Sequence, residues 1–199
     1  MSPVPRPKLV APGEGKTIML FAVRFDYKVI SADSGGDLAA LEVTIPPRTL
    51  VKPHNHSRED EFTVVLAGTV GARVGDQVVE AGAGASLVKP RGTPHAMWNA
   101  GAEPARVLEV LSPGGLEDYF EELAPVLREH APPATYDALA ARYGLTIQND
   151  WIEELERTYG VKLWGSARTG VAGCWRSCGT GWPGRSGSLR AVRRLRRSP

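Results

Sequence analysis

Cysteine is nearly absent from this sequence. The two that occur, Cys174 and Cys178, lie four apart near the C-terminal end, so no disulfide ties the preceding residues together. That scarcity fits a reducing compartment and excludes a disulfide-stapled secreted scaffold. Long apolar runs are missing too. None is long enough to span a bilayer, and the proline-rich start "MSPVPRPKLVAPGEG" lacks the apolar stretch of a secretory signal. The expectation is a cytoplasmic protein with no membrane partner. Histidine is scarce: His54, His56, His95 and His130 are the only four. From Gly165 onward there is no acid at all, while eight arginines fall in that stretch. The overall charge of +2 therefore conceals an acidic body and a basic tail.

What is present divides into four stretches. Residues 1–16 read as a loose N-terminal arm. Residues 17–112 hold short segments rich in Val, Ile, Leu and Thr, among them "TIMLFAVRF", "LAALEVTIP", "EFTVVLAG" and "ARVLEVLSP", broken by Gly, Pro and Asp. Gly75-Asp76 between alternating residues marks a compact hairpin. Many short strands at close spacing predict an antiparallel sandwich or barrel. Residues 113–164 change period. Leu116, Phe120, Leu123 and Leu127 recur at helical spacing, with Pro125 expected to kink or break that helix. A second helix is expected over "ATYDALAARYG" with Gly144 as its stop, and a third over "NDWIEELERTYG" with Asp150 as cap and Gly160 as stop. Residues 165–199 have no sustained apolar period and cannot bury enough surface to offset their ordering entropy, so a disordered tail with free thiols is expected. Clustered arginines attract polyanions. Without interleaved aromatics or a known motif, though, nucleic acid is not the expected partner.

The chemistry concentrates in "HNHSREDE", residues 54–61. On a strand, His54 and His56 point to one face, because side chains alternate with period two. Neutral imidazole suits Zn, Cu, Fe and Ni. Glu59, Asp60 and Glu61 are the carboxylates on hand. Glu61 opens the strand "EFTVVLAG" and shares its face with Thr63 and Val65, which ties it to the interior. The remaining ligand has to come from elsewhere. His130 ends a helical stretch, where a position near the last carbonyls accounts for it. His95 begins a short extended run after a Pro-Arg-Gly turn, sharing its face with Met97 and Asn99.

These residues resemble the two signature motifs of the cupin superfamily. In the first, His54-Asn55-His56 is followed by four residues, Glu61, six residues and Gly68. In the second, Gly84, Pro90, Gly92, His95 and Asn99 stand at every expected interval. The first motif usually opens with Gly six residues before its first His; here Arg48 stands there. The resemblance is strong over residues 38–115, and "LSPGGLEDYFEELA" is similar to the extension of quercetin-dioxygenase-like, type-2 cupins. The resemblance implies an all-β fold, a jelly-roll (double-stranded β-helix) barrel with a short C-terminal helical extension. It also implies one divalent transition metal ion (Fe, Mn, Ni, Cu or Zn) held by His54, His56, Glu61 and His95, with Glu59 and Asp60 left as turn residues. It further implies a homodimer, paired through an edge within residues 17–24.

Three histidines and one glutamate leave coordination positions open, as a working site requires, and the absence of thiolate argues against structural zinc. The leading expectation is a dioxygenase acting on a small enol or flavonol-like substrate, with Glu61 both ligand and proton acceptor. Thr63, Val65, Met97 and Trp98 are the candidate pocket residues, and Tyr119 and Phe120 candidates for its mouth. Two other readings keep the metal: a non-oxidative isomerase, cyclase, decarboxylase or lyase, and a non-catalytic small-molecule binder.

Overall fold

The computed structural model describes residues 8–166. The expected tail disorder, the free thiols of Cys174 and Cys178, and the first seven residues of the N-terminal arm lie outside that range.

Among the described residues, thirteen strands form two sheets. In chain order they are β1 (Thr17–Leu20), β2 (Val23–Val29), β3 (Ala39–Ile45), β4 (Thr49–Leu50), β5 (His54–His56), β6 (Asp60–Ala67), β7 (Thr69–Val74), β8 (Gln77–Gly82), β9 (Ser86–Lys89), β10 (His95–Asn99), β11 (Ala105–Ser112), β12 (Leu145–Ile147) and β13 (Lys162–Leu163). The first sheet runs β1-β2-β3-β11-β6-β9. The second centres on β10, which pairs with β7 along one side and with β5 and β4 along the other. Apolar residues at alternate positions of β3, β6 and β11 point between the sheets, and Leu41, Val43, Val65, Val107 and Leu111 form the core there. This is the jelly-roll barrel that the sequence implied.

One local reading of the barrel strands changes. "TIMLFAVRF" is not one strand but a hairpin, with Leu20 opposite Val23 across Phe21-Ala22. The turn residue Phe21 has φ 55°, a conformation that usually selects glycine, so sequence signals did not mark it. The Gly75-Asp76 hairpin forms as expected, Val74 pairing with Gln77.

The C-terminal extension contains the helices α2 (Glu117–Arg128), α3 (Pro133–Arg142) and α4 (Ile152–Tyr159), after a one-turn α1 (Ser31–Ser34) earlier in the chain. It is not purely helical. β12 pairs with β5 and β13 with β4, so the extension widens the second sheet. α2 continues through Pro125. Asp150 falls in a 3-10 turn, Asn149–Trp151, ahead of α4 and does not cap it, while Gly160 ends α4 at φ 63° as expected.

Strand β10 is buried on both faces. Its outer residues Ala96 and Trp98 lie under α4 with Leu50, Leu155 and Val161, and Trp98 stacks on Tyr159 at 4.3 Å between ring centroids. The indole also lies flat on Gly71, where a Cβ would come within 2.3 Å of it. None of the described helices is long and apolar enough to cross a membrane.

Candidate metal centre

Three of the four expected ligands sit on the second sheet, two of them in register. His95 of β10 is directly opposite His54 of β5. Cβ atoms of such a pair are about 5 Å apart, so both imidazoles enter the same space. His56, two residues from His54, points the same way. The fourth, Glu61, comes from β6 on the facing sheet. The barrel's closure brings the four together: one ligand atom from each, all within 4.8 Å of one another. Three of the four side chains are buried and His54 is half-buried.

The imidazoles converge through Nε2. His54 Nε2 lies 3.0 Å from His56 Nε2, and Glu61 Oε2 lies 3.3 Å from His56 Nε2 and 3.1 Å from His95 Nε2. The opposite nitrogens are anchored on two of the rings. Nδ1 of His54 donates to the Lys52 carbonyl at 2.6 Å, and Nδ1 of His95 to the Thr93 carbonyl at 3.0 Å. A proton on Nδ1 leaves the Nε2 lone pair free, the tautomer a metal needs. Burial, with the neighbouring rings, drives the His54 pKa well below its ordinary value, and burial lowers that of His95, so both imidazoles are neutral, the form a metal would need.

Glu61 Oε2 and His95 Nε2 are buried without a hydrogen-bond partner. Two imidazole nitrogens facing each other at 3.0 Å can share at most one proton. A divalent cation satisfies all of these atoms together, so the residues fit a bound transition metal. Nitrogen and carboxylate donors without sulfur suit Zn, Fe, Mn, Ni or Cu alike.

Behind Glu61 lies a charge cluster that the sequence reading did not anticipate. Lys89 of β9 is opposite Glu61 in register, and its Nζ reaches Glu61 Oε1 at 3.0 Å and Glu109 Oε2 at 3.1 Å. Thr63 donates to the same Glu109 oxygen at 2.9 Å. All three charged groups are buried. One ammonium cannot compensate two carboxylates in a low-dielectric interior. Burial alone would raise the Glu61 pKa, but Lys89 and the histidine contacts outweigh it and hold Glu61 well below the usual carboxylate range. Glu109 goes the other way, pushed by burial up to about 8 against the pull of Lys89. The pair of carboxylates raises Lys89 despite its burial.

The four-residue cluster opens onto a cavity of about 430 Å3. Its walls are mostly apolar: Phe25 and Val43 from the barrel, Tyr119, Phe120 and Leu123 from α2, Tyr136 from α3, and Trp164 just after β13. Phe25 and Phe120 stack at 4.7 Å between centroids. Lys52, Lys89, Glu109, Asp137 and Ser166 add polar groups to its lining beside the four clustered side chains.

Of the residues expected at the pocket, Met97, Tyr119 and Phe120 line this cavity. Thr63 and Val65 face the barrel interior but are covered, Thr63 by its bond to Glu109 and Val65 within the core. Trp98 is on the other face of β10, because alternation sends it outward, so its place near the pocket does not hold. Glu59, read as a turn residue, is buried, with Oε2 at 3.7 Å from His56 Nδ1. Asp60, also read as a turn residue, instead opens β6 opposite Ser112, accepting from the Arg91 backbone N–H at 2.8 Å and from its guanidinium. Asn99 ties down a loop, donating to the Ile45 and Glu103 carbonyls. Arg48, where the motif has glycine, is exposed and adopts φ 55°, while the motif's Gly68 has φ 76°. The motif glycine thus answers to a backbone need that Arg48 meets under strain.

The family model for the cupin domain matches residues 41–111. The barrel is a cupin domain. Among solved structures, this cupin is similar to KdgF from a Halomonas species, at 17% identity and TM-score 0.50, over 57% of this chain and 99% of that one. It is similar also to a predicted oxalate decarboxylase from Thermotoga maritima, at 18% identity and TM-score 0.51, over 53% and 99%. At these identities the likeness is one of fold. No curated protein matches this cupin.

Proposed function

We propose that this cupin is a metal-dependent dioxygenase of a small, planar enol, of the flavonol kind. The observation that carries the reading is the juxtaposition of a three-histidine, one-glutamate cluster with an aromatic-walled cavity of about 430 Å3. A small dianion such as oxalate would leave most of that space unfilled and its apolar walls unpaired. A flat aromatic body fills it, with one oxygen toward the cluster. His54, His56 and His95 through Nε2, and Glu61 through Oε2, would hold the metal, which when bound supplies Lewis-acid activation of the enol oxygen and orientation toward O2.

The chain's own residues divide the remaining work. Phe25, Phe120 and Trp164 position the ring system and exclude water. Glu61 takes the enol proton once its grip on the cluster loosens. Lys89, at 3.0 Å from Glu61 Oε1, holds that carboxylate in place until then. The test is oxygen consumption with a panel of flavonols and simpler enols, aerobic against anaerobic, on protein loaded with each candidate metal. One equivalent of O2 per substrate is expected. Equal turnover without O2 would sink the reading.

One observation favours a second reading. The buried Lys89 ammonium suits the stabilisation of negative charge on a substrate oxygen without O2, as an isomerase or lyase needs. The same anaerobic arm decides between the two.

A further inference from the structure

Among the three histidines of the centre, one is held differently. His54 and His95 each donate Nδ1–H to a backbone carbonyl. His56 has no such partner. Its Nδ1 is buried and makes no hydrogen bond, and it faces Oε2 of Glu59 at 3.7 Å, which is also buried and also unpartnered. Glu59 is only 5% exposed, in a stretch that otherwise reads as a charged turn. A buried donor and a buried acceptor without partners are each costly. A separation just beyond hydrogen-bond length, in a side chain with three rotatable bonds, closes with a small torsional change.

Resting on the metal-centre reading above, we infer that Glu59 is the positioning residue for the ligand His56. Its carboxylate accepts the Nδ1 proton of His56 and so fixes the tautomer in which Nε2 offers its lone pair. It also sets the plane of the ring and makes Nε2 a stronger donor than the carbonyl-anchored nitrogens of His54 and His95. A carboxylate–histidine–metal relay of this kind is conferred by one side chain, where the other two ligands rely on backbone. Partners of this kind, when removed, typically cost metal affinity roughly 10- to 100-fold.

The test is cobalt(II) titration of the metal-stripped full chain, following the ligand-field bands. Wild type is expected to bind with a well-defined spectrum. E59A is expected to bind roughly 10- to 100-fold more weakly with shifted bands. E59Q, which keeps an acceptor but loses the charge, is expected to recover part of the affinity. E117Q, a buried carboxylate on α2 outside the cavity wall, controls for stability and should leave the cobalt affinity unchanged. Wild-type affinity and spectrum in E59A overturn the inference while leaving the metal centre standing; absence of cobalt binding by wild type overturns both. Should E59A fail to fold, E59Q decides, and unchanged affinity and bands there overturn the positioning role.

Discussion

Lys89 Nζ sits 3.0 Å from Glu61 Oε1, on the side of the carboxylate away from the histidines. The two side chains occupy paired positions on β9 and β6, so the strand register itself sets the contact. Removing the lysine leaves the Glu61 carboxylate without its counter-ion and takes a hydrogen bond from Glu109, whose pKa is pushed up to about 8. K89M is therefore expected to cost on the order of 3–5 kcal/mol in the metal-free protein, the usual penalty for breaking a buried pair. K89M/E109L should recover part of it, since only Glu61 then lacks a partner. Added divalent metal should recover more, because a cation at Oε2 replaces the lost one. Urea denaturation with and without metal measures all three; equal stability of wild type and K89M would refute the account.

Metal removal has its own signature. A metal that binds only the folded chain stabilises it by about 2.7 kcal/mol at 100 times its Kd. Chelator-treated protein is expected to melt lower, and to regain its Tm on adding back the right metal. H56A should show neither the loss nor the gain, and elemental analysis should find it empty. An unchanged Tm on chelation of a metal-containing sample would contradict a centre coupled to folding.

Acid stability should depend on Glu117. Its carboxylate accepts the backbone N–H of Ser31 at 2.6 Å and of Gly115 at 2.7 Å, joining α1 to the start of α2. Burial would raise its pKa, but these hydrogen bonds outweigh burial and lower it below the ordinary 4.5. A depressed carboxylate stabilises the fold fully above the unfolded value and loses that contribution as pH falls through the folded one. E117Q is expected to be less stable at pH 7, by on the order of 1–2 kcal/mol, and the gap should close as pH drops below about 4.5. A gap that stays constant down to pH 3 would count against the assignment.

Arg48 offers a stabilising change. A non-glycine residue in the left-handed region costs roughly 1–2 kcal/mol, and glycine adds back about half of that in unfolded-state entropy. R48G is expected to raise stability by roughly 0.5–1 kcal/mol with metal content unchanged. A loss of stability would show that the exposed side chain makes a contribution the φ strain does not capture.

The candidate ligands were legible because their intervals match the two cupin motifs: the resemblance names His54, His56, Glu61 and His95, and strand alternation and neighbourhood favour the same four. The residues around them were not. Lys89 stands in "SLVKP", where an outward lysine and an inward Val88 are the ordinary pattern; the parity is inverted, and Val88 is exposed. Glu109 lies in "ARVLEVLS", where each alternating column mixes apolar with charged or polar residues, so neither face declares itself. Glu59 could not be separated from Asp60 without knowing that the chain bends to bury one and leave the other to Arg91. Trp98 was misplaced by neighbourhood: it adjoins Met97 in sequence but faces the opposite way. Trp164 lines the cavity from a turn just after a two-residue strand, too short to leave a periodic signal.

Strand β10 belongs to two hydrophobic environments at once, with His95 and Met97 on one side and Ala96 and Trp98 on the other. Mutational tolerance on α4 should therefore follow the needs of a centre that α4 never touches. Substitutions at Leu155 or Tyr159 shift the seat of Trp98, and through one shared backbone they shift His95. A screen scored on metal retention would recover positions from this helix alongside the candidate ligands, while the exposed Val78 and Val79 on β8 would vary freely.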